Sequence, residues 1–61
     1  MKVRDLLLWL RRDGWVLVRT RGSHRIYAHP AKPGHVTVPG HPSDEVRLGT
    51  LKSILKQAGL A

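Results

Sequence analysis

Arg19-Thr20-Arg21-Gly22-Ser23-His24-Arg25 brings an imidazole, three guanidinium groups and a turn-forming Gly-Ser pair into one short stretch. A neutral imidazole accepts a proton, and guanidinium groups hold phosphate oxygens. Positive charge from Arg21 and Arg25 disfavours a second cation beside them, which favours His24 as the neutral base. On RNA the proton to take is that of the ribose 2′-hydroxyl, whose oxygen can then attack the adjacent phosphate without a metal ion. A general base of this kind contributes about 10²–10⁴ in rate. Gly22 and Ser23 are expected to form the turn that presents the imidazole. Taken on the residues alone, a histidine after a hairpin turn is more often structural than catalytic.

Other basic side chains could extend the same chemistry. Lys52 and Lys56 are four apart and share one helix face. With Arg21, Arg25 and Lys32 they could grip phosphates without reading sequence; a solvated helix face carries equal weight. The four histidines, His24, His29, His35 and His41, lack the i, i+4 helical pairing of hydrolytic zinc sites, and no cysteine joins them. No metal or other cofactor is therefore expected. Trp9 and Trp15 could stack on bases, but beside apolar stripes both are expected to be core.

The elements that must position these groups follow from periodicity. Val3, Leu6, Leu7 and Leu10 form one helical stripe, so a helix is expected from about Lys2 to Arg12, stopped by Asp13-Gly14. Trp15–Thr20 and Arg25–His29 are rich in strand formers and flank Gly22-Ser23, which predicts a hairpin. Alternation places Ile26 and Ala28 in the core, with Arg25, Tyr27 and His29 opposite. That puts His24 at the rim of the helix-covered face. Pro30–Gly34 is a loop and His35–Val38 a third strand. Leu51, Ile54, Leu55 and Ala58 mark a second helix, capped at its start by Gly49 or Thr50 and ended by Gly59.

The predicted order is α-β-β-β-α. This is an α+β fold with a three-stranded antiparallel sheet and two helices on one face, in the layout of double-stranded-RNA-binding domains. At 61 residues the chain is expected to be a single domain spanning 1–61. A chain this short buries only about 60% of its unfolded surface. It has no cysteine, which excludes disulfides and suits a reducing cytoplasm. Eleven Lys and Arg against four Asp and Glu give a net charge of +7, which favours nucleic acid as a partner. The apolar run Leu6–Leu10 is far too short for a membrane span, so no membrane association is expected.

Four blocks in register resemble the HicA family of toxins from bacterial and archaeal toxin–antitoxin pairs. They are Asp13-Gly14-Trp15, Gly22-Ser23-His24, Val36-Thr37-Val38-Pro39 with His41, and Gly49 through Leu60. The resemblance implies the fold just described and a toxin that acts as an endoribonuclease on messenger RNA and arrests translation. It implies that His24 is the catalytic residue, and that a HicB antitoxin binds the toxin and buries that histidine. His41, within a matched block, could be a general acid opposite His24, although ordering of the loop between Pro39 and Pro42 is the favoured role. Asp44-Glu45 places negative charge where an RNA strand would otherwise be expected to pass, so that connection is expected to face the antitoxin. The alternative is a non-catalytic nucleic-acid-binding module of similar fold.

Overall fold

The computed structural model describes residues 1–61. Helix α1 spans Val3–Asp13, strands β1, β2 and β3 span Val16–Arg21, His24–Ala28 and His35–Val38, and helix α2 spans Leu48–Gln57. The strands form one antiparallel sheet in the order β1-β2-β3. The expected α-β-β-β-α order and double-stranded-RNA-binding-domain-like α+β architecture are thus present. No helix is long and apolar enough to cross a membrane.

Both helices end in the same way. Gly14 (φ 109°) lets the Trp15 N–H reach back to the Leu10 carbonyl at 3.0 Å, and Gly59 (φ 71°) does the same for Leu60 and Leu55 at 2.8 Å. This closes the last turn by satisfying carbonyls that a helix end leaves free. The two ends are then tied together. Lys32 Nζ donates to Asp13 Oδ2 at 2.6 Å and to the Ala58 carbonyl at 2.9 Å, so one loop side chain holds α1 and α2 at once. Lys32 is therefore a clasp within the fold and stands apart from the phosphate-gripping group expected of it.

The start of α1 is closed by the connection that precedes α2. The Val3 and Arg4 N–H groups, which have no partner inside the helix, donate to the carbonyls of Asp44 and Pro42 at 2.9 and 3.0 Å. Glu45 meets the α-amino group of Met1 at 3.2 Å and Lys2 Nζ at 3.5 Å. Glu45 through its carboxylate and Asp44 through its backbone carbonyl thus anchor the connection to the start of α1. Helix α2 begins earlier than expected, at Leu48, with Arg47 in the capping position and no side chain capping it. Gly49 and Thr50 lie inside its first turn.

The core is Val3, Leu6 and Leu10 of α1, Trp15, Tyr27 of β2, Val36 and Val38 of β3, and Ile54 and Ala58 of α2. Tyr27 pairs with Val36, and Arg25 with Val38, so these residues face the helices. The expected Ile26–Ala28 core pair is overturned: both lie on the opposite, open face and are only half-buried. The large ring of Tyr27 outweighs the two smaller side chains, and its partner strand offers a matching pair of valines. The polar residues of this parity are accommodated. The Arg25 guanidinium donates to the Gly40 carbonyl at 2.9 Å, and His29 Nε2 donates to the Asp13 carbonyl at 2.7 Å while its Nδ1 accepts from the Ala31 N–H at 2.9 Å. Trp15 is buried as expected, whereas Trp9 is 39% exposed, because it lies off the Val3–Leu6–Leu10 stripe.

The Asp13 clasp makes stability depend on acid. The hydrogen bond from Lys32 holds the Asp13 carboxyl below its ordinary value of 3.8. A carboxyl depressed in the folded state stabilises fully above its unfolded value, and that contribution is lost as pH falls through the folded value. Asp13→Asn is expected to lower stability at neutral pH and to flatten its decline between about pH 5 and pH 2. Thermal melts across that range check this; parallel pH curves for parent and variant would show that the clasp is not coupled to titration.

Candidate active site

The Gly22-Ser23 turn joins β1 directly to β2. Gly22 takes the left-handed conformation (φ 59°) and Ser23 does not, which is the order of a type II′ hairpin turn. Arg21 and His24 are the closing pair, so their side chains stand side by side on one face of the sheet, with Cβ atoms about 4.5–5.5 Å apart. His24 is exposed, and no side chain or backbone group hydrogen-bonds its ring. It shares the open face with Ile26, which pairs with Thr37, and that face is the one away from the helices. The reversed parity of β2 thus puts His24 on the open face rather than at the rim of the helix-covered one, although the cleft it lines still reaches α2.

A bulge determines which arginines join it. Leu17 pairs with Tyr27 and Arg19 with Ile26, so Val18 is an extra residue with no partner. Without it Arg19 would follow Leu17 onto the helix side. The extra residue shifts the alternation and puts Arg19 and Arg21 together on the face of His24. Arg19 was not among the residues expected to contact RNA. The signal for it was a one-residue irregularity inside Val16-Leu17-Val18, a run of uniform strand formers in which a bulge leaves no mark.

Arg25 goes elsewhere. It faces the helix side and is held by the Gly40 carbonyl, so it fixes the loop after β3 and does not stand with Arg21 and His24. His41 is exposed in that loop. Its N–H donates to Asp44 Oδ2 at 2.9 Å, and its carbonyl accepts from the Asp44 N–H at 3.0 Å, so its backbone orders the turn. Its ring is not among the groups lining the cleft at His24.

That cleft runs from His24 over Thr37 and Pro39 to the polar side of α2, where Gly49, Thr50, Ser53 and Gln57 form its far wall. At about 100° per residue, Lys56 lies beside Gly49 and Ser53 on the helix circumference, and Lys52 one step further round. Both lysines are exposed and flank the cleft without lining it. The start of a helix favours negative charge, so the far wall adds to the field of the arginines and lysines. The arrangement offers a solvent-reachable imidazole between an arginine pair and a hydroxyl-bearing helix face. It can move a proton while a phosphodiester strand is held in extended form.

A family model described as the HicA toxin of bacterial toxin–antitoxin systems matches residues 3–60. The chain belongs to the HicA toxin family. The match takes in every element of this HicA chain, including the turn, the bulged strand and the α2 wall. Membership in a toxin–antitoxin family implies an antitoxin as partner. No curated protein matches the chain at a significant level.

Proposed function

We propose that this HicA toxin is an endoribonuclease that cleaves messenger RNA and so arrests translation. The observation that carries the reading is His24, free of internal partners on an open sheet face, with Arg21 directly across the hairpin. His24 removes the proton of a ribose 2′-hydroxyl. The freed oxygen attacks the neighbouring phosphorus, a new O–P bond forms and the bond to the 5′-oxygen of the next nucleotide breaks. The leaving oxygen takes up a proton from water. Arg21 and Arg19 hold the phosphate and offset charge that develops on its oxygens. The nucleophile belongs to the substrate, so the route calls for no metal-bound water.

The test is a defined RNA cut by the purified chain in the presence of chelator. Expected products carry 5′-hydroxyl ends, and a single 2′-deoxy nucleotide at the cut position blocks cleavage there. Cleavage that persists through that 2′-deoxy position, or stops on adding chelator, would refute the mechanism.

The open position of His24 also fits neutralisation by cover. His24 is exposed on the sheet face, so a HicB antitoxin laid across that face would close the site without unfolding it.

The arginines separate by salt dependence. Arg19→Gln and Arg21→Gln are each expected to reduce the slope of log affinity against log salt by about 0.7 for single-stranded RNA. Arg25→Gln should leave that slope intact and instead cost about 1–2 kcal/mol of stability, since the Gly40 carbonyl loses a charged donor. Equal slope changes for all three would contradict the division between faces.

A further inference from the structure

Beyond the cleft at His24, a second recess opens between the connection and α2. It has a volume of about 200 Å³ and shares Pro39, Thr50 and Ile54 with the cleft, so the two adjoin. Its lining is mixed: Val3, Val38, Pro39, Val46 and Ile54 are apolar, and Asp44, Glu45, Arg47 and Thr50 are charged or polar.

We propose that this recess is a nucleobase pocket, which receives an unstacked base adjoining the phosphate held at His24. The inference rests on the ribonuclease reading and deepens it by locating where the strand is gripped. Three observations carry it. First, the size fits a ring: a dry apolar cavity of about 150 Å³ takes up benzene, and this recess is somewhat larger. Second, the charge excludes the phosphate of a nucleotide. Asp44 and Glu45 both line the recess, and their carboxylates repel a phosphate but accept hydrogen bonds from ring N–H and amino groups. Glu45 is engaged by Met1 and Lys2, while Asp44 gives only Oδ2 to the His41 N–H. Third, Arg47 lines the recess, is exposed and has no hydrogen-bond partner for its guanidinium, a plane on which a splayed base can stack. Acidic residues in a basic RNA-cleaving chain thus mark where the uncharged face of the strand enters.

The experiment is an abasic scan. Single-stranded RNAs made uncleavable by one 2′-deoxy nucleotide at the cut site carry an abasic residue at each flanking position in turn. Their affinities are measured for the parent chain, for Val46→Phe, which fills the recess, and for Arg47→Ala, which is exposed and leaves packing untouched. In the parent, one position next to the cut is expected to lose about tenfold in affinity, within the range of a single base–side-chain stack. Val46→Phe should erase that loss, and Arg47→Ala should reduce it, even if the phenylalanine variant folds poorly. A scan that is flat in a parent that still cleaves RNA overturns the pocket and leaves the ribonuclease reading standing. A parent that neither binds nor cleaves RNA overturns both. Loss of the antitoxin complex in Val46→Phe with an unchanged abasic scan would assign the recess to a protein partner and overturn the proposal.

Discussion

Replacing His24 with alanine is expected to lower RNA cleavage by about 10²–10⁴ while the protein remains folded. The two halves of that expectation rest on different observations. The ring is exposed, packs in no core and hydrogen-bonds to nothing, so its removal opens no cavity and strands no partner. Surface changes of this kind stay within about 0.5 kcal/mol. The chemical loss follows from the role of proton acceptor, since water is then the only base left beside the 2′-hydroxyl. The loss should fall on kcat, with affinity for uncleavable RNA nearly unchanged because Arg19 and Arg21 still hold the strand. Retained kcat with weakened affinity would make His24 a contact residue, and the proposed chemistry would have to move elsewhere.

Trp15→Ala is the largest structural effect expected. Trp15 follows the glycine that ends α1, is 2% exposed, and meets the His29 ring edge-on at 5.1 Å and 70°. Truncating a buried tryptophan costs about 3–5 kcal/mol. A chain of this size has total stability of only about 3–9 kcal/mol at the usual 0.05–0.15 per residue. The variant should therefore lose from about a third of that stability to all of it, as read by circular dichroism and thermal melting. Trp9→Ala supplies the contrast, because a residue 39% exposed on α1 gives up much less area. Similar melting temperatures for both variants would mean that Trp15 does not anchor the core.

The comparison between these tryptophans shows what the amino-acid order makes legible. Helix periodicity and the terminal glycines located all five elements to within a residue or two, because an amphipathic stripe and a left-handed cap are local properties. The inward face of β2 was not legible in the same way. Both parities of His24–Ala28 contain apolar side chains, and only pairing with Val36 and Val38 decides between Tyr27 and the Ile26–Ala28 pair. The Lys32 clasp likewise joins residues far apart in the chain. At the candidate site, His24 and the turn that carries it could be named in advance. Arg19 could not, because its direction depends on the extra residue at Val18, nor could the α2 wall, because it approaches His24 only when the helix packs along β3.

The uncovered strand β1 has a consequence for how the isolated chain behaves in solution. None of its residues is buried, Val16, Leu17 and Val18 are 47–58% exposed, and its outer edge pairs with nothing. Such an edge is adhesive between copies, and only its Val18 bulge and the charges of Arg19 and Arg21 blunt it. Keeping copies apart falls to the net charge of +7. That repulsion reaches about 10 Å at 0.1 M salt but only about 3 Å at 1 M, whereas contact between apolar edges is strengthened by salts such as sulfate. The molecule is thus a charge-stabilised colloid, dispersed in dilute buffer and drawn together as ionic strength rises.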